Sequence, residues 1–182
     1  DFVNDCKSSP GTLKVANSGT GSATHTAAIA LMNAVGCKVI HLPKGIKGRN
    51  KSVLNGEADA MIAPLTGAVN LTKAGKIRLL VMPTDSRNEI FPNVPTAKEL
   101  GYNASLDLFR GLSVPPNTPE NIKTILADAM KKAANSEAFL ALAKKKGFKV
   151  SPLGHKDFSA LLKRENAKVK KIFASAGLLK SK

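Results

Sequence analysis

The chain has 182 residues, 43% of them hydrophobic and 23% charged, which is enough for one globular domain or two small ones. No apolar run approaches the ~20 residues of a membrane-spanning helix, so none is expected. The formal net charge of +15 attracts anions, among them nucleic acids, acidic membranes and small carboxylates.

The first half of the sequence alternates strands with helices. Strands are predicted at 12–17, 38–42, 58–63 and 77–82, and helices at 22–35, about 48–54 and 69–74. The apolar positions of the first of these helices repeat at helical spacing, and Gly36 follows as a C-terminal cap. Elements that alternate in this way predict parallel strands joined by right-handed crossovers, and therefore an α/β lobe.

The second half contains helices without a matching sheet. After an irregular, proline-punctuated stretch and a short helix at 97–100, the sequence predicts a lone strand at 109–114. Thr118 and Pro119 are predicted to start a helix with an apolar stripe, and two more helices follow at 136–146 and about 156–176. Three amphipathic helices need an apolar surface to cover. Either they pack on one another, or their sheet belongs to a part of the protein outside this chain, in which case the open lobe surface favours self-association.

The basic charge is concentrated in these helices. Residues 120–182 carry 15 Lys and Arg against 5 Asp and Glu. We interpret most of them as a solvated face, because the opposite faces are apolar. The sequence has no Trp and one Tyr, and Phe139, Phe158 and Phe173 fall on apolar stripes that are predicted to face inward. Without exposed aromatics for base stacking, no nucleic-acid partner is expected.

Two cysteines, Cys6 and Cys37, allow one disulfide or two buried free thiols. Both are predicted to lie at the edge of the sheet opposite a glycine-rich turn. Neither belongs to a Cys-x-x-Cys pair, and the three histidines are scattered along the chain, so no metal site is expected. No cofactor motif is visible either.

The glycine-rich turn, Ser18–Ser22, follows the predicted first strand and precedes a helix. In a parallel sheet this is the edge where ligands bind, and the helix N-terminus offers unsatisfied N–H groups to an anion. The turn is neither a P-loop nor a dinucleotide fingerprint, because the required lysine and third glycine are missing. Spacing alone leaves a capped turn without ligand and an anion site equally open.

Other residues are predicted at the same edge. Lys44 and Gly45 follow the second strand, and Pro64–Gly67 follows the third. His25 lies one helical turn beyond the glycine-rich turn. No carboxylate follows these strands to act with it, so binding without chemistry is favoured over an enzyme that uses His25.

Several motifs resemble a known family when they are taken in order. They are NSGTGSATH (17–25), LPKG (42–45), NGEADAMIA (55–63), AGKIRLLV (74–81), FPNVPTAKELGY (91–102) and RGLSVPPNTP (110–119). The combination is similar to that of the substrate-binding receptors of tripartite tricarboxylate transporters, the TctC or Bug type. The resemblance runs from about Ser9 to Leu179 and is specific when the motifs are taken together.

The resemblance implies a periplasmic-binding-protein-like fold of type II, an α/β architecture whose two lobes close on a small carboxylate. Residues 1–107 then form a complete second lobe, and residues 108–182 the returning C-terminal helices of the first. It also implies a periplasmic receptor, not an enzyme, that delivers an organic acid to membrane permease subunits. The ligand-binding residues implied by the resemblance and by the sheet edge are Ser18, Gly19, Thr20, Gly21, Ser22, His25, Lys44, Gly45 and Thr66.

The sequence departs from the family pattern in two places. After the second strand the family commonly has Pro-Tyr-x-Gly, whereas this chain has Pro43-Lys44-Gly45. Family members also have a segment before the position of Asp1 that forms the other jaw of the site, so we expect this chain to be a piece of a longer receptor. The alternative reading, a basic nucleic-acid-associated or regulator effector module, predicts a helix-turn-helix segment, and none is visible.

Overall fold

The computed structural model describes residues 1–179. The chain divides into two compact units, Asp1–Leu108 and Phe109–Lys182. The first unit holds the sheet, and the second consists of helices and extended segments.

The first unit begins with helix α1 (Phe2–Ser8) and continues through strand β1 (Lys14–Asn17), helix α2 (Ala23–Val35) and strand β2 (Ile40–Pro43). Helix α3 (Gly45–Leu54), strand β3 (Ala60–Met61) and helix α4 (Leu65–Lys73) complete it. The α/β prediction is confirmed, although the strands are shorter than predicted.

The three strands form a parallel sheet in the order β2-β1-β3. Lys14 pairs with Ile40 and Asn17 with Pro43, while Val15 pairs with Ala60 on the other side of β1. The first crossover leads from the central strand β1 to β2 at one edge, and the second leads back past β1 to β3 at the other edge. Since such crossovers are right-handed, α2 and α3 lie on opposite faces of the sheet, and both begin at its carboxyl edge.

Helix α2 contributes several residues to the core of this unit; it begins one residue later than predicted and ends where predicted. The Ser22 side chain accepts a hydrogen bond from the His25 amide, and Gly36 ends the helix at φ +69°. Its apolar face packs into the core with Cys6, Cys37, Ala97 and Ala104 through Leu31, Met32 and Val35. Burying a leucine side chain such as Leu31 contributes about 1.5–3 kcal/mol.

The predicted fourth strand at 77–82 does not form. Only Met82 pairs, through one isolated parallel bridge to Thr96. Its amide donates to the Pro95 carbonyl, and its own carbonyl accepts from the Ala97 amide. The facing segment carries Pro92 and Pro95, and Pro83 directly follows Met82; proline cannot donate to a sheet ladder, so the pairing stops after one bridge. The short helix predicted at 97–100 is also wrong, because these residues form turns instead.

The second unit contains helices α5 (Glu120–Ala134), α6 (Glu137–Lys146) and α7 (His155–Ser175). Ser136 caps α6 by accepting from the Phe139 amide. The predicted cap at Thr118 is wrong, because its hydroxyl donates to the Pro115 carbonyl and Pro119 precedes the helix. The lone strand at 109–114 is wrong as well, since the described residues give it no partner strand.

The apolar stripes of these helices are not buried in the way the sequence predicts. Among the described residues of this unit only Ala143 is buried, and Ile125 is 61% exposed. Phe139, predicted to lie in a core, is 38% exposed, whereas Phe158 and Phe173 are half-buried. The unit has no sheet in its described part, so the helices have only one another and the extended segment to cover, as Phe109 packs against Phe158 of α7.

The cysteines are free thiols in the first unit, both buried. The Cys6 thiol lies 3.6 Å from the Lys38 carbonyl oxygen. Burial, followed by a hydrogen bond with Cys6, raises the pKa of Cys37 to about 11. Of the two alternatives that the sequence left open, the structure shows the reduced pair.

Candidate functional site

The Ser18–Ser22 turn leaves the carboxyl end of the central strand β1 and leads into α2. Side chains hold it from several directions. The Ser18 amide donates to Thr24 Oγ1 at 2.9 Å, and the Gly19 amide donates to Asn17 Oδ1 at 2.9 Å. The Ser22 amide donates to the Gly19 carbonyl at 3.1 Å. The turn is therefore a fixed structure and not a loose loop.

Three amides at this turn stay unused. Those of Thr20, Ala23 and Thr24 donate to no group among the described residues. Thr20 and Ala23 are exposed residues, whereas Thr24 is buried. The first amides of a helix carry the positive end of its dipole, and together they favour an anion.

His25 braces the turn from below. Its Nδ1 accepts a hydrogen bond from the Gly21 amide at 3.1 Å, and the residue is 6% exposed. Its ring meets that of His41 edge-on, with centroids 4.9 Å apart. Burial lowers the pKa of His25, and burial together with the nearby His25 lowers the pKa of His41. Both rings are therefore neutral near pH 7, and His25 acts as a support for Gly21.

The other predicted residues, Lys44, Gly45 and Thr66, lie outside the Ser18–Ser22 turn. The Lys44 ammonium forms an ion pair with Glu57, while the Lys44 amide continues the sheet by donating to the Asn17 carbonyl at 3.1 Å. Its charge is thus already compensated. Gly45 opens α3 at φ +73°, a conformation that favours glycine. Thr66 lies half-buried in the first turn of α4, which also starts at the carboxyl edge.

Arg49 is a residue of this edge that the sequence prediction missed. It is only 3% exposed, and its Nη1 donates to Ser18 Oγ at 2.6 Å. A methyl group placed on Gly67 would lie 3.8 Å from Arg49 Nη2. The guanidinium therefore lies between the turn after β1 and the first turn of α4. A charged residue in a short helix is normally interpreted as solvent-facing, so no signal in the sequence indicated this burial.

Asn17 was also missed. It is fully buried at the end of β1, and its Nδ2 has no hydrogen-bond partner in the described part of the chain. Its Oδ1 accepts from the Gly19 amide, so the side-chain amide lies against the turn. An unsatisfied buried donor costs about 1–3 kcal/mol, which favours an acceptor from outside the chain.

The local electrostatics favour an anion. Residues 6–56 contain no Asp or Glu, and they carry seven Lys and Arg. The next two carboxylates are engaged, Glu57 with Lys44 and Asp59 with the Lys14 amide at 2.7 Å. Within residues 1–179 no cluster of His, Cys, Asp and Glu is arranged to hold a metal ion. The same residues include no helix that is long and apolar enough to cross a membrane.

The profile of the tripartite tricarboxylate transporter family receptor, TctC, matches residues 1–178. The chain belongs to this family. A receptor family is thereby favoured over the regulator module that the sequence left as an alternative.

Two curated relatives of this TctC chain are longer than the chain itself. A UPF0065 protein from the gbd 5′ region of Cupriavidus necator is 31% identical over 134 residues, which cover 73% of this chain and 41% of that protein. A UPF0065 protein from Agrobacterium vitis is 27% identical over 135 residues, covering 73% of this chain and 39% of that protein. The aligned parts thus span about two fifths of these relatives.

Solved structures share the fold. A TctC solute-binding protein from Polaromonas superposes with a TM-score of 0.76 at 26% identity, covering 96% of this chain and 60% of that one. MatC from Rhodopseudomonas palustris, solved with malate, has a TM-score of 0.76 at 22% identity, covering 94% and 60%. A second R. palustris protein, solved with adipate, has a TM-score of 0.76 at 20% identity, covering 97% and 60%. The predicted periplasmic-binding-protein-like fold is confirmed.

Proposed function

We propose that this TctC chain binds a small carboxylate at the Ser18–Ser22 turn, as part of a periplasmic receptor that delivers the acid to membrane permease subunits. The observation that carries the proposal is the set of unused amides of Thr20, Ala23 and Thr24 on a braced turn. Fixed N–H groups at a helix N-terminus bind a carboxylate without needing a charged side chain.

The role is binding and not catalysis. The imidazole of His25, the obvious candidate for a base, accepts from the Gly21 amide and is held by it. The related structures solved with malate and adipate support an organic acid as the ligand class. In a two-lobed receptor, we assign residues 1–107 to the second lobe and residues 108–182 to the returning helices of the first.

Thr20→Asp tests the position of the site. Thr20 is exposed, so the substitution is tolerated, and a carboxylate beside the free amides of α2 adds about 0.3–1 kcal/mol of helix stabilisation. The same charge repels a bound acid, so affinity should fall at least about tenfold. Thr20→Asn is the matched control, because it has the same shape as Asp and no charge.

The measurement is isothermal titration calorimetry with malate, adipate, succinate and citrate. Wild type and Thr20→Asn should bind the same acid with similar affinity, and Thr20→Asp should lose it without loss of thermal stability. A wild-type protein that binds none of these acids, or a Thr20→Asp variant with unchanged affinity, would contradict the proposed site.

A further inference from the structure

Arg49 is a buried cation for which the described residues supply no anion. Its two hydrogen-bond partners are neutral: Ser18 Oγ at 2.6 Å from Nη1, and Asn50 Oδ1 at 3.3 Å from Nε. A guanidinium has five N–H donors, and Nη2 has no partner in the described part of the chain. The residue as a whole is 3% exposed.

This arrangement is costly for the protein alone. An unpaired charge loses its hydration on burial, and in agreement with this the pKa of Arg49 is lowered by burial. The two acidic groups that follow in the sequence are already used, Glu57 by Lys44 and Asp59 by the Lys14 amide. An anion that pairs with Arg49 would therefore come from outside the described residues.

The position of Arg49 points to the ligand of the proposed site as that counter-ion. Ser18 lies between helices α2 and α3. Its amide donates to Thr24 Oγ1 on α2, and its hydroxyl accepts from Arg49 on α3. The two helices lie on opposite faces of the sheet and both begin at its carboxyl edge. The unpartnered Nδ2 of the fully buried Asn17 lies at the same strand end.

We propose that Arg49 forms an ion pair with the second acid group of a dicarboxylate whose first carboxylate is held by the α2 amides. This inference rests on the proposed function and names the residue that sets charge selectivity. A ligand that spans the end of β1 reaches both features only if it has an anionic group at each end. An acid with one end neutralised leaves the guanidinium unpaired.

Charge selectivity is measured with matched ligand pairs. Succinate, glutarate and adipate are each compared with their monoamide by calorimetry, because the amide keeps the size and removes one charge. A charged hydrogen bond contributes enough that wild type should prefer the diacid roughly 10- to 100-fold. In Arg49→Met the diacid should bind about as weakly as its monoamide.

Two further variants test whether the effect depends on the position of Arg49 and on its guanidinium group. Arg78→Met removes the same charge from an exposed position of the same unit and should bind as wild type does. Arg49→Lys keeps a cation but not the planar fork, and should recover part of the preference. Without ligand, Arg49→Met should melt at or above the wild-type temperature, because an unpaired buried charge has been replaced by an apolar side chain.

Three other outcomes would contradict the inference. If diacids bind wild type and Arg49→Met equally well, the ion pair is wrong while the proposed carboxylate site stands. A lower melting temperature of Arg49→Met with unchanged preference for the diacid would show a purely structural role and overturn the inference. If wild type binds none of these acids, the proposed function fails and the inference fails with it.

Discussion

The two units of the chain have similar helices but very different interiors. Every buried residue of the described chain except Ala143 belongs to the first unit. There α2 and α3 pack against β1, whereas α5 packs against α6 and α7, and the described part of their unit contains no strand. An amphipathic sequence thus suffices to form a helix, but its apolar face is buried only where a sheet offers a surface of matching size.

The largest loss of stability on substitution is expected in the core of the first unit. Leu31→Ala removes a side chain that is 5% exposed and should lower the free energy of unfolding by about 3 kcal/mol. Ile125→Ala, at a position that is 61% exposed in the second unit, should cost less than about 0.5 kcal/mol. Hydrogen exchange resolved by residue reports each unit separately. Equal losses of unfolding free energy for Leu31→Ala and Ile125→Ala would contradict the difference between the interiors of the two units.

The next effect is a pH dependence that belongs to the first unit. The pKa values of His25 and His41 are lowered by burial, and in the unfolded chain both titrate near 6.5. Below that pH the unfolded state takes up protons that the folded unit does not, so the free energy of unfolding should fall between pH 7 and pH 5. The slope is at most about 1.4 kcal/mol per pH unit for each histidine.

Substitution of both histidines tests whether they, and not other groups, cause this pH dependence. His25→Asn keeps an acceptor for the Gly21 amide and removes the titration, and combined with His41→Gln it should flatten the profile. The pKa of Glu99 is lowered by its hydrogen bonds to the Thr96 amide and to Arg87, so it titrates below this window. A wild-type stability that stays level or rises from pH 7 to pH 5 would contradict the assignment.

The smallest effect concerns the exposed helix faces of the second unit. Ile125→Ser should change the free energy of unfolding by less than about 0.5 kcal/mol, because the side chain is already mostly in water. If this surface self-associates, as the sequence predicts, light scattering should show smaller species for the variant. Destabilisation of 2 kcal/mol or more, a size typical of buried sites, would show that Ile125 is buried in solution.

The parallel lobe, helix α2 and its cap at Gly36 could be predicted because each is a local pattern with one physical solution. The strand at 77–82 could not, because strand formation depends on a partner, and the partner segment here contains Pro92 and Pro95. The inward faces of α5 and α7 were predicted wrongly for the same reason: periodicity shows which face is apolar, not what covers it.

By itself, the sequence determined the α/β alternation, the glycine-rich turn at the end of a strand and the ordered motifs that resemble the receptor family, since these depend on residue types close together in the chain. Only the tertiary structure decided which polar groups are free. It shows that His25 and Lys44 are already engaged with Gly21 and Glu57, and that Arg49 is buried beside Ser18, 31 positions away in the sequence. Charge and hydrogen-bonding capacity can be read from residue types, but whether they are available to a ligand depends on what the fold places next to them.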